Sequence, residues 1–442
     1  MTHEEMSQLP NAVAGERSNP EEVAARVAEN SPPRSPLPTV GLGFIAAYAL
    51  ALFGISILIM TPAVVSLALR ISQIDPDNAA NSYSFVAGAG ALFALVANPL
   101  FGRLSDNTTS RFGMRRPWIV LGTAGGAFAA VLLALAPTVP MLFLGWALMQ
   151  TLVNAALAAL VAVVADQIPE EQTGLLSGIV GTMPVAAILA GSFITQLVPD
   201  NTFMIFVLPA GIAVITITVF LFVLRDRVLD RSERGHFGFK EFSRTFVVSP
   251  RKQPSFSWFL LSLFLICVGL AVVQTYLFFL AAANSDVTED QVPTVVFYLV
   301  LVMNVISIVV SFVSGALSDR FGGRRVIFGL GGVALAGAAV VVALAPNLPV
   351  LFAGVSIAGL GYGFLAGMYI AVARTTLVDS TSNARDLGLV NLTLTLPSSL
   401  VPLAAPLLLG IGGTGDNYVA LFVTGAVITL AGIPLIAKIR KR

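Results

Sequence analysis

Charged residues divide this chain into long apolar stretches. Uncharged runs occupy residues 35–69, 78–102, 117–165, 172–199, 201–224, 253–285, 291–318, 326–373, 387–415 and 417–437. A membrane-spanning helix needs about 20 mainly apolar residues, and each run can supply one. Two runs, 117–165 and 326–373, are long enough for two. Each is interrupted by a proline pair: Ala136-Pro137-Thr138-Val139-Pro140 in the first and Ala345-Pro346-Asn347-Leu348-Pro349 in the second. Proline removes a backbone donor and disfavours helix at the residue before it, so each pair predicts a turn between two helices. The pattern therefore predicts an all-α integral membrane fold of twelve transmembrane helices.

Composition says the same of the solvent. The chain is 56% hydrophobic and 11% charged, against about 25% charged residues in a soluble domain. A net charge of +1 favours neither nucleic acid nor an acidic partner. The single cysteine, Cys267, lies in an apolar run, and the two histidines, His3 and His236, lie in polar segments. These counts exclude a metal cluster or histidine-based catalytic centre within the membrane, and no cofactor is expected.

Residues 1–37 hold six glutamates, three arginines and the run Ser31-Pro32-Pro33-Arg34-Ser35-Pro36. They lack the apolar core of a signal peptide and read as a disordered cytoplasmic tail. With that tail inside, 24 of the 25 Lys and Arg residues fall on the cytoplasmic side. The exception is Arg70. The positive-inside rule then places both termini in the cytoplasm.

The chain repeats itself. The loop after helix 2 reads Gly102-Arg103-Leu104-Ser105-Asp106, then, after four further residues, Arg111-Phe112-Gly113-Met114-Arg115-Arg116. The loop after helix 8 reads Gly315-Ala316-Leu317-Ser318-Asp319-Arg320-Phe321-Gly322-Gly323-Arg324-Arg325. Beyond the loop, Pro137 pairs with Pro346, Leu142 with Leu351 and Gly145 with Gly354, at a constant offset of 209. Six helices have been doubled in parallel topology, and the polar stretch 225–252 joins the halves.

A twelve-helix duplication with this repeated loop resembles the major facilitator superfamily over residues 38–438. The longer first loop, Asp106 to Trp118, is similar to the pattern of sucrose transporters and of glycoside–pentoside–hexuronide carriers. The resemblance implies two six-helix bundles, 38–224 and 253–442, with a substrate site between them near the midplane. It also implies a sugar or glycoside substrate, a coupling cation and symport. The expected setting is the plasma or inner membrane, with the lipid bilayer and a small molecule as partners and a monomer as the working unit.

The loop charges invite a mechanical reading. Asp106 and Asp319 each sit near arginines: Arg111, Arg115 and Arg116 in the first half, Arg320, Arg324 and Arg325 in the second. Gly102, Gly113, Gly315 and Gly322 permit tight turns and close helix approach. Such clusters can pin helices at the cytoplasmic face, as a latch broken when the halves separate there. Topology alone would explain the arginines, but it asks for no acid, and the aspartate recurs in register.

Polar residues inside the apolar runs are the candidate substrate ligands. Helices 1, 4, 7 and 10 are those the resemblance puts at the site. Helix 4 carries Trp146, Gln150 and Asn154 on one face, an aromatic platform above two amides. Helix 1 offers Tyr48, helix 7 Gln274 and Tyr276, and helix 10 Tyr362 and Tyr369. Asn304 on helix 8 and Asn391 on helix 11 complete the set, with Ser and Thr neighbours better read as interhelical hydrogen bonding. The run Ala87 to Ala91, with Gly88 and Gly90, reads as helix packing. In the central loop, Phe239, Phe242 and Phe246 fit either a surface helix or an ordinary linker.

No Asp, Glu, Lys, Arg or His falls within a predicted helix interior. A proton relay ordinarily keeps such a residue in the membrane, so this absence points away from proton symport and from a strongly charged substrate. The leading expectation is a secondary transporter of a neutral solute. The alternatives are an exporter of amphipathic drug-like compounds and a transport-dead membrane sensor. No nucleophile–base pair or phosphate loop supports an enzyme.

Overall fold

The computed structural model describes residues 39–169, 172–229, 253–284, 286–321, 323–376, 383–411 and 417–439. The tail 1–37 and the aromatic triplet of the central loop lie outside these residues. The described chain is helical throughout: α1 (Leu42–Ile74), α2 (Ala79–Asp106), α3 (Arg116–Leu135), α4 (Val139–Gln167), α5 (Thr173–Leu197), α6 (Thr202–Val223), α7 (Pro254–Ala282), α8 (Val292–Phe321), α9 (Arg324–Ala343), α10 (Leu348–Arg374), α11 (Asn383–Leu409) and α12 (Tyr418–Gly432). Eleven are long and apolar enough to cross a membrane, and α5 adds the shorter apolar stretch Thr182–Leu197.

Both proline pairs act as turns. α3 ends at Leu135, and α4 restarts at Val139 with a proline in its first turn. α9 ends at Ala343, and α10 restarts at Leu348, where the Asn347 side chain accepts the Val350 N–H at 3.1 Å. Proline is tolerated there because the first-turn N–H groups have no intrahelical acceptor. Pro62 lies mid-helix and has a different result. It opens a π-helical segment, Pro62–Ser66, inside α1, since proline cannot donate to the preceding turn.

The duplication is visible side chain by side chain. α3 packs on α4 as α9 packs on α10, and α1 meets α5 and α6 as α7 meets α11 and α12. Gly145 lies against Leu133, and Gly354 lies against Val342. Gly122 faces Leu152 and Ala156, and Gly331 faces Gly361 and Leu365. Every partner is displaced by the same 209 residues as the sequence repeat. Between the repeats, α2 packs on α11 and α5 on α8, the same pairing exchanged.

The end of the bundle that holds Leu42, Asp106, Val223 and Pro254 is here the linker end; the other is the far end. Among the described residues, side-chain contacts joining the repeats lie toward the far end. Gly88 of α2 abuts Leu403 of α11. The rings of Phe193 on α5 and Phe297 on α8 are 5.6 Å apart. Tyr83 of α2 lies edge-on to Phe279 of α7 at 5.2 Å. The Tyr83 hydroxyl also donates to the Ala63 carbonyl, 3.1 Å away inside the π-helical segment.

Candidate functional site

Arg115 is at the centre of a cluster at the linker end. It precedes α3, and only 4% of its surface is exposed. Its guanidinium meets Asp106 at the end of α2 (2.6 Å), Asp166 at the end of α4 (2.8 Å) and the Ser105 hydroxyl (2.9 Å). Burial disfavours the charged guanidinium, but the hydrogen bonds and charges of Asp166 and Asp106 outweigh it and raise its pKa above the ordinary arginine value. The neighbouring Arg116 donates to the Leu224 carbonyl at the end of α6. Arg111 stands apart, its guanidinium 4.8 Å above the Phe112 ring.

These bonds lie within the first repeat, tying α2, α3, α4 and α6 together. In the first repeat this departs from the expected latch: parting the two repeats leaves the Arg115 bonds to Asp106 and Asp166 intact. The reason is reach, since both carboxylates project from helix ends that flank the start of α3. In the second repeat, Gly322 and the side chain of Asp319 lie outside the described residues. Arg320 and Arg324 are exposed, and the Nη2 of Arg325 is buried with no partner among the described residues. A Cβ added to Gly102 would sit 4.0 Å from the Ala158 Cβ, while one added to Gly315 would meet nothing within 4 Å among the described residues.

The helix-4 stripe divides by depth. Trp146 packs into the α2–α4 interface: a Cβ added to Gly90 would sit 2.2 Å from its ring. The platform expected to face a substrate is thus a knob that needs a glycine opposite. Gln150 and Asn154, one and two turns along, are buried and form an amide cluster with Asn98 of α2. Asn98 Nδ2 donates to Asn154 Oδ1 at 3.3 Å, and Asn154 Nδ2 donates to the Gln150 carbonyl at 2.8 Å. Among the described residues, no protein acceptor meets the Gln150 side-chain Nε2–H groups.

The remaining candidates scatter. Tyr48 lies in the core of the first repeat, edge-on to Phe220 at 5.9 Å, with its hydroxyl buried and lacking a described partner. Tyr276 is fully buried between the repeats, its hydroxyl 2.5 Å from Ser84. Asn304 donates to the Val300 carbonyl of its own helix at 2.9 Å. Gln274, Tyr362 and Tyr369 are half-buried, and the two tyrosines border an apolar cluster around Leu365 and Met368. The side chain of Asn391 lies outside the described residues. Asn98, Ser84, Tyr83 and Asp226 were missed. Asn98 and Ser84, both on α2, meet the same criterion of a polar residue in an apolar run that picks out Asn304 and Asn391.

The geometry belongs to a known class. Residues 39–377 match the family model of the Major Facilitator Superfamily, and the chain belongs to that superfamily of transporters. Among solved structures, the nucleoside transporter NupG aligns with a TM-score of 0.71 at 12% identity, covering 90% of this chain and 99% of that one. A bacterial homolog of the human lysosomal transporter Spinster, solved inward-facing and unoccupied, aligns at 0.63 with 14% identity, covering 90% and 96%. The human organic anion transporter MFSD10 aligns at 0.62 with 16% identity, covering 89% and 99%. No curated protein matches the sequence.

Proposed function

We propose that this transporter moves a small neutral, hydroxyl-rich solute of the sugar or glycoside class by alternating access. The amide cluster Asn98–Gln150–Asn154 carries this reading. Asn154 sits near the middle of the 29-residue α4, about 20 Å from either end at a rise of 1.5 Å per residue, and so near mid-depth of a bilayer core about 30 Å thick centred on that helix. Amides donate and accept, so they serve hydroxyl groups in either sense. No Asp, Glu, Lys or Arg accompanies them within the helices; the charged residues of the described helices fall near helix ends. A charged solute at that depth would meet no countercharge.

The moving bodies are the repeats, 38–224 and 253–442, joined by 225–252. The far-end contacts close one side, and both termini lie in the cytoplasm of a cell-membrane protein. With no carboxylate in the helix interiors, transport runs downhill and does not take up a proton. The test is a thermal-shift screen of purified protein against neutral sugars and glycosides, and against lipophilic cations and anions. Neutral hydroxylated compounds should stabilise wild type and fail to stabilise the Gln150→Leu/Asn154→Leu variant. Stabilisation by lipophilic ions alone would favour an exporter of amphipathic compounds and overturn this reading.

A further inference from the structure

The chain leaving α6 does not run free. Its first residues dock on the α2–α3 loop, far from them in sequence. The Met114 N–H donates to the Arg227 carbonyl at 3.0 Å. The Asp226 carboxylate accepts the backbone N–H groups of both Arg115 (2.8 Å) and Arg116 (2.7 Å) through Oδ2. The Gln167 side chain donates to the Arg225 carbonyl at 2.8 Å. Three consecutive residues after α6 thus hold the start of α3 and the end of α4.

We infer that Asp226 is a positioning residue of the arginine cluster, and that it also dictates glycine at position 113. The two N–H groups it accepts open α3, where the first-turn donors have no intrahelical partner and a carboxylate is favoured by the helix dipole. Fixing the Arg115 backbone fixes the origin of its side chain, which must reach Asp106 and Asp166 at once. Gly113 has φ +103°, a conformation that residues with a Cβ rarely adopt. A Cβ there would also sit 2.1 Å from Asp226 Oδ2. The carboxylate occupies the space the glycine leaves. In the second repeat, Gly323 also has positive φ, +75°, but a Cβ there would meet nothing within 4 Å among the described residues. Crowding by a carboxylate belongs to Gly113 and not to Gly323.

The proposal concerns the cluster alone and does not depend on the solute carried. Hydrogen exchange on the full-length protein in nanodiscs tests it. In Asp226→Ala, amides 114–116 should exchange on the order of tenfold faster, the scale of a lost helix cap. The α2 end near Asp106 and the α4 end near Asp166 should also loosen, as in Arg115→Ala, and the double variant should loosen them no further. Asp226→Asn, which keeps one acceptor oxygen, should recover part of the protection. Should Asp226→Ala fail to fold, Gly113→Ala, whose Cβ displaces the carboxylate, should give the same pattern. Faster exchange at 114–116 with both remote helix ends unchanged would reduce Asp226 to a simple cap and overturn the positioning role. Unchanged exchange throughout would overturn the staple itself.

Discussion

The far-end closure can be loosened by one oxygen atom. The Ser84 hydroxyl donates its proton to the Ala80 carbonyl at 2.6 Å. The proton in the 2.5 Å contact between Tyr276 and Ser84 therefore comes from the tyrosine. Tyr276→Phe removes that bond and retains the ring contacts to Tyr83 (6.3 Å) and Phe279 (6.2 Å). A hydrogen bond of this kind contributes about 0.6–1.5 kcal/mol inside a membrane protein. If it exists only in the far-end-closed state, its loss shifts the closed-to-open ratio about three- to tenfold toward opening. Spin labels on cysteines replacing the exposed Asp77 and Asp290, one in each repeat, report the distance across that end. The lone native cysteine, Cys267, is buried and stays unlabelled. Tyr276→Phe and Ser84→Ala should each enlarge the long-distance population, and the double variant should do no more than either alone. An unchanged distance distribution in a variant of unchanged stability would show that this bond does not hold the gate.

Other outcomes follow from the same geometry. Gly90→Ala should destabilise the fold by about 1–3 kcal/mol, read in denaturant or thermal unfolding, because the Trp146 ring has no room to retreat. Trp146→Ala should cost about 3–5 kcal/mol of stability while leaving solute affinity nearly unchanged, the reverse of a binding residue. Gln150→Leu should weaken solute affinity about tenfold with little loss of stability, measured by calorimetry or thermal shift. Arg115→Lys should destabilise the linker end, since an ammonium cannot reproduce a fork that meets two carboxylates and a hydroxyl. A guanidinium whose pKa is raised above the ordinary arginine value contributes stability below that value and loses it only in strong alkali. The Arg115 contribution should therefore be flat between roughly pH 6 and 9 in a stability titration.

The sequence carried the architecture because lipid imposes one rule on every segment: uncharged length means a spanning helix. Proline pairs at 137/140 and 346/349 marked the turns because proline acts locally. Helix pairing is not local, and there the reading weakened. Trp146, Gln150 and Asn154 share a face in any helix, but nothing in α4 itself says that Gly90 and Asn98 of α2 lie opposite. Nothing in α7 says that the Tyr276 hydroxyl meets Ser84, 192 residues away. Arg115 was legible as one of three arginines close to Asp106 in its loop, though not as the one that pairs with it. Asp226, 111 residues distant, was not, since a charge after α6 looks like one more cytoplasmic residue. That the Arg115 bonds stay within one repeat was hidden for a related reason: a motif names its charges and leaves open which helix ends they bridge.

An uncharged amide site of this kind is proposed to carry a neutral solute without a proton. Counterflow in proteoliposomes tests it most directly, with tracer uptake of neutral sugars and glycosides followed with and without an imposed pH gradient. The expected result is saturable equilibration of a neutral solute, insensitive to the gradient and to a protonophore, and lost in Gln150→Leu/Asn154→Leu. Uphill accumulation driven by the pH gradient and abolished by the protonophore would contradict it.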